Sequence, residues 1–262
     1  MTIAVQARAS RIHLRPETVH LFDFNLLLLL ALLRAMKLLL FDIDGTLVRV
    51  NGRGREAVNE ALSSLTDQPI SLDGVPFSGR TDPAIIEAVL THNDLPTTEA
   101  MVEEVIATYV DTMRGALAPT DVEVLPGVAP LLPRLHDHSD LHLGLVTGNV
   151  EPIAYEKLGA QGLADYFPVG AFGSDHAERN RLPTLATRRA TDHAGHSFRP
   201  DEHTVIIGDT PHDIECARAA GARVVAVCTG NYSRDELSPH DPDLLLDTLP
   251  APEAFLQCVS EL

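Results

Sequence analysis

From residue 37 onward, short apolar runs ending in turn residues alternate with helical patterns, and that alternation leaves few folds open. The runs are "KLLLF" (37–41), "LHLGLVTG" (141–148), "VGAFGSD" (169–175), "HTVIIGDT" (203–210) and "RVVAVCTG" (223–230). Helix candidates lie between the later ones, near 152–158, 179–193 and 211–220. Near-continuous apolar strands separated by helices predict an α/β fold, with a parallel sheet covered on both faces.

Residues 51–121 break this rhythm. "EAVNEALSSL", "PAIIEAVLTHN" and "EAMVEEVIATYVDTMRGAL" each carry apolar residues at i, i+3 and i+4, the spacing of an amphipathic helix. A chain of 262 residues is long enough for a core plus an insertion. The expected organisation is a core of 36–50 and 122–262, interrupted by a helical unit at 51–121. Residues 1–35 read as a peripheral extension. Their "LLLLLALL" is eight residues long, against roughly 20 for a membrane span, and no small-residue cleavage site follows it. A chain starting at Met36 is therefore expected to fold and function by itself.

Acidic residues outnumber basic ones 37 to 20, a net charge of −17, which makes nucleic acid a poor partner. No membrane partner is expected. The three cysteines, Cys216, Cys228 and Cys258, lack CxxC spacing; they are expected to be buried thiols in a reducing cytoplasm.

In open parallel sheets, ligands bind at the carboxyl ends of the strands, and here those ends are polar. The first gives Asp42 and Asp44, two residues apart. At strand spacing they would share a face, where two carboxylates repel unless something cationic or catalytic requires them. The second gives Thr147, Gly148 and Asn149; the fourth gives Asp209, with Asp213 four residues on. After the third, "GSDHAERNR" carries Arg179 and Arg181. Each feature alone has an ordinary explanation. "TGN" can be a turn capping a helix, "GDTPHD" an Asp cap before a first-turn proline, and the arginines can pair with an acidic surface. Their order is what points to one site, because three aspartates, a hydroxyl and a guanidinium would converge on one sheet edge.

That order resembles the haloacid dehalogenase superfamily over residues 37–262. Its DxDGT motif corresponds to "FDIDGTLV", its strand-ending Thr to Thr147 in "LVTGN", and its GDxxxD motif to "GDTPHD". The family's third motif is a lysine ahead of a helix. No lysine follows Lys157, so an arginine is expected there, Arg179 rather than Arg181, although a planar fork differs in geometry from an ammonium.

The resemblance implies a Rossmann-like core with a helical cap inserted after the first strand, acting on a small phosphorylated metabolite with Mg2+. Asp42 would be the nucleophile and Asp44 the general acid and base. Thr147, Gly148, Asn149 and Arg179 would hold phosphate oxygens. Asp42, Asp209 and the backbone carbonyl of Asp44 would hold the metal, with Asp213 supporting from behind. The presence of Asp44 favours phosphate esters over carbon–halogen bonds. In the cap, "FSGRTDPAI" (77–85) resembles the GxTD loop of phosphoglycolate-phosphatase-like members, making Arg80, Thr81 and Asp82 a substrate loop. It reads equally as a helix start, with Thr81 or Asp82 as N-cap and Pro83 at N1. A phosphomutase and a non-catalytic binding member are the alternative functions.

Overall fold

The computed structural model describes residues 36–262 apart from 67 and 202; the extension expected over 1–35 lies outside the described residues. Strand β1 (Lys37–Phe41) is its centre. Leu38, Leu39, Leu40 and Phe41 are all fully buried, which is why the run is apolar without alternation. The chain then forms β2 (Val48–Val50), which pairs antiparallel with β3 (Val122–Val124). Between those short strands lie the three long helices α1 (Arg53–Leu65), α2 (Asp82–His92) and α3 (Glu99–Ala116). Leu62, Ile86, Val89, Val105 and Met113 pack them into a separate apolar cluster.

The main sheet adds β4 (Leu141–Val146), β5 (Gly170–Ala171), β6 (Thr204–Gly208), β7 (Arg223–Val227) and β8 (Leu244–Leu246). Its order is β5-β4-β1-β6-β7-β8, with every pair parallel. Alternate residues of β1 face opposite sides, as the two-residue period requires. Leu39 and Phe41 join α4 (Val128–His136), α5 (Glu151–Gly159) and α9 (Pro252–Glu261) through Leu131, Leu158 and Phe255. Leu38 and Leu40 meet α6 (Leu182–Ala194), α7 (Pro211–Ala220) and α8 (Arg234–Leu237) through Leu182, Ala186, Ile214 and Leu237.

Three local expectations change. Of the third apolar run only Gly170 and Ala171 pair as strand, because the Phe172 N–H donates instead to the Asp175 carboxylate at 2.9 Å. Arg179–Arg181 form a 3-10 turn, and the helix proper starts at Leu182 with Pro183 in its first turn. Of the three free cysteines only Cys216 is buried; Cys228 and Cys258 are partly exposed. Among the described residues no helix is long and apolar enough to cross a membrane.

Candidate active site

Three parallel strands of the sheet centre deliver polar residues to one edge. The Asp42 N–H donates to the Ile207 carbonyl at 2.9 Å, which carries the β-ladder one residue past β1 and fixes where the Asp42 carboxylate sits. The chain then turns sharply at Gly45, whose φ is +87°. A side chain there would be strained in that left-handed region and would collide with the Asp209 carboxylate, so glycine answers two demands at once.

That turn sends the paired aspartates to different partners. Asp42 is buried and lies 3.0 Å from the Arg179 guanidinium. Asp44 is half-exposed and accepts from the Lys157 Nζ at 2.8 and 2.6 Å and from the Asn149 Nδ2 at 2.7 Å. β1 ends at Phe41, so the strand spacing behind the same-face expectation does not extend over residues 42–44. Both carboxylates still line one cavity, but each has its own cation.

Thr147 directly follows β4 and is fully buried. Its hydroxyl accepts from the Asn149 N–H at 3.3 Å and from the Asn149 Nδ2 at 2.9 Å. Gly148 lies so close to the Arg80 carbonyl that a Cβ would not fit. Asp209 is not the cap before Pro211; Asp213 instead completes a capping box with Thr210. Thr210 caps α7, and the Asp213 carboxylate accepts from the Thr210 N–H at 2.9 Å and its hydroxyl at 2.7 Å. The other Asp213 oxygen accepts from Arg179.

Arg179 and Arg181 stand two residues apart and point to different places. Arg179 is buried at the site, touching Asp42, Asp213 and the Gly79 carbonyl. Arg181 is exposed and pairs with Glu178 at 2.9 Å, away from the cavity. The alternative assignment to Arg181 is therefore set aside. The inserted helices reach the same edge through residues 79–82. Thr81 caps α2 and donates to the Ala177 carbonyl at 2.7 Å; Pro83 follows at the second helical position, not the first. The Asp82 N–H donates to Gly148 O at 2.8 Å, and its carboxylate accepts from the Val150 N–H at 2.8 Å. Arg80 and Asp82 line the cavity; Thr81 does not.

The cavity holds about 410 Å3. Its wall combines five basic side chains (Arg49, Arg55, Arg80, Lys157, Arg179) with four acidic ones (Asp42, Asp44, Asp82, Asp209), so an anion can bind here despite the net charge of −17. Carboxylate oxygens of Asp42, Asp209 and Asp213 lie within 4.8 Å of one another. Burial above all, opposed by Arg179, pushes the Asp42 carboxyl up to about 7. Burial, then Asp213 and Asp42, holds the Asp209 carboxyl well above the usual range. Arg179 answers Asp42 and Asp213, whereas among the described residues the Asp209 carboxylate receives one side-chain bond, at 3.3 Å from the Thr46 hydroxyl. A further cation of the oxygen-seeking kind fits this donor set.

Lys157 lines the cavity and pairs with Asp44, a place that reasoning from sequence does not give it, since it falls inside the helix expected near 152–158. The available signal was its place beside Ile153, Ala154 and Leu158 on the buried face of α5, where lysine is almost never found without a partner.

The family described as haloacid dehalogenase-like hydrolase matches residues 39–227. A phosphoglycolate phosphatase from Synechococcus elongatus is 34% identical over 143 residues, 54% of this chain and 61% of that protein. One from Xanthomonas campestris pv. campestris is 30% identical over 205 residues, 78% of this chain and 88% of that protein. A crystal structure described as a predicted phosphatase from Clostridium acetobutylicum superposes with a TM-score of 0.65. It shares 20% identity and covers 87% of this chain and 100% of its own.

Proposed function

The chain belongs to the haloacid dehalogenase-like hydrolases, and from that premise we propose a magnesium-dependent phosphatase that hydrolyses a small phosphate monoester through an aspartyl-phosphate on Asp42. Phosphoglycolate is the leading substrate, on the strength of the names of the relatives. The observation that carries the reading is the separate pairing of the two aspartates, Asp42 with Arg179 and Asp44 with Lys157. It gives two nearby carboxylates different surroundings and hence different roles.

In the first half-reaction, an Asp42 oxygen bonds to phosphorus while the bond from phosphorus to the leaving oxygen breaks. Arg179 orients Asp42 and offers its charge to the phosphoryl oxygens. Asp44 gives its proton to the leaving alkoxide. In the second half, Asp44 takes a proton from water, the water oxygen bonds to phosphorus, and the Asp42–phosphorus bond breaks. Thr147 and the Gly148 amide flank the position of the phosphoryl oxygens. Magnesium would be held by Asp42, Asp209 and the Asp44 carbonyl, with Asp213 bracing Arg179, and when bound it would shield the charge of the phosphate. The residues 79–82, stitched to the core through Gly148, Val150 and Ala177, close the cavity and exclude water.

The test is hydrolysis of phosphoglycolate and other small monoesters by the purified full chain, with magnesium and with EDTA. Release of inorganic phosphate that requires magnesium supports the proposal. Absence of turnover on every monoester, or full activity in EDTA, rejects it.

A further inference from the structure

We infer that Lys157 is a positioning residue for the reaction, acting through Asp44; this rests on the phosphatase reading above. Lys157 is 4% exposed although it belongs to a helix whose neighbouring buried positions are apolar. Its ammonium donates to both oxygens of Asp44 and makes no other ion pair among the described residues. The remaining donor goes to the Asn149 Oδ1 at 2.6 Å, and the Asn149 Nδ2 returns to Asp44 at 2.7 Å. Lys157, Asn149 and Asp44 thus form a closed ring of hydrogen bonds, which the Asn149 bond to the Thr147 hydroxyl ties to the end of β4.

A half-exposed aspartate on a turn has several rotamers open to it. The ring selects one. Burying an ammonium is unfavourable unless its partners are in place, so the energy that keeps Lys157 buried depends on where the Asp44 carboxylate stands. Asp44 must meet the leaving oxygen in one half-reaction and water in the other, and a proton can pass only across a short, aligned contact. Arg179 does not serve Asp44; its two terminal nitrogens engage Asp42, Asp213 and Gly79. The site therefore gives Asp42 and Asp44 different cations.

The test compares leaving groups in Lys157→Met, a neutral side chain of similar length. An alkyl ester such as phosphoglycolate needs a proton for its leaving oxygen; para-nitrophenolate leaves without one. The expected kcat loss on phosphoglycolate is about 10²-fold, the lower end for general acid–base help, with KM changed by less than about threefold. With para-nitrophenyl phosphate the first-turnover burst of nitrophenolate should stay close to wild type while steady turnover falls, because breakdown of the phosphoenzyme still needs Asp44. Lys157→Arg, which keeps charge and a two-pronged donor, should recover most of the loss. Lys157→Gln, neutral and shorter, carries the same leaving-group comparison if Lys157→Met does not fold.

Equal losses on both esters in the first turnover would overturn the inference, as would unchanged kcat. A loss confined to KM would overturn it too and make Lys157 a phosphate ligand. Asp42→Asn separates the two levels: if that variant still turns over, the aspartyl-phosphate on Asp42 has failed, and the Lys157 comparison no longer concerns breakdown of that intermediate.

Discussion

The Arg179 guanidinium stands 3.0 Å from the Asp42 carboxylate and uses the same nitrogen to reach Asp213, so one buried cation joins the end of β1 to the start of α7. Removing it leaves two buried carboxylates facing each other. Arg179→Ala should lower kcat/KM by roughly 10²–10³, the scale of one charge-stabilising donor. Arg181→Ala should be near wild type, since that side chain is exposed and pairs with Glu178 away from the cavity. Steady-state kinetics of the two variants on one monoester decide the ranking; the reverse order would reassign the cation.

The two aspartates should separate kinetically. Asp42→Asn cannot form the phosphoenzyme and should show neither burst nor turnover. Asp44→Asn should still release one equivalent of para-nitrophenolate, then turn over slowly, because the water-activating base is missing. Rapid mixing with para-nitrophenyl phosphate reads both.

Metal binding should be visible without activity. Asp209 is buried with one weak hydroxyl donor, so a cation that satisfies it stabilises the native state by mass action. Magnesium should raise Tm of the chelated protein, and Asp209→Asn should shrink that rise and increase the metal needed for turnover. Calcium should replace magnesium poorly in turnover, since its longer, looser coordination alters the geometry. A magnesium shift that is unchanged in Asp209→Asn would contradict the assignment.

At the opposite end of β4, His142 makes stability depend on pH. Its Nε2 is buried with no hydrogen-bond partner among the described residues, and its ring stacks on Phe198 beside His193. Burial, then the His193 charge, holds its pKa below the usual value. The folded state therefore binds fewer protons than the unfolded chain just below about pH 6.5, the ordinary histidine value. Stability from this group is full above that pH and is lost as pH falls towards the depressed folded value. Tm measured from pH 8 to pH 5 should decline less steeply in His142→Phe than in the wild type.

Much of this was legible in the sequence because it is carried by short, strongly patterned segments. "KLLLFDIDGTLV" gave both a doubly buried strand and the turn after it, and the strand-end rule brought Asp42, Thr147 and Asp209 to one edge. Lys157 was not legible by that rule. It lies eight residues beyond Asn149, in the second turn of α5, and only the packing of that helix carries its ammonium back to Asp44. Arg179 and Arg181 could not be separated by spacing alone, since a 3-10 turn sends residues two apart to different sides. The β2–β3 ribbon has three residues per strand, too few for any period to register.

That ribbon has a further consequence. Val50 and Val122 are direct partners in it, so the chain departs from the core and returns to it at neighbouring positions. Closing a loop grows in entropic cost only slowly with its length. Stretches of very different size could therefore be spliced between these two valines while Asp42 keeps its place at the end of β1. On the function proposed above, the ribbon would make substrate choice a replaceable part: selection could exchange the inserted helices wholesale and leave the chemistry beneath them inherited intact.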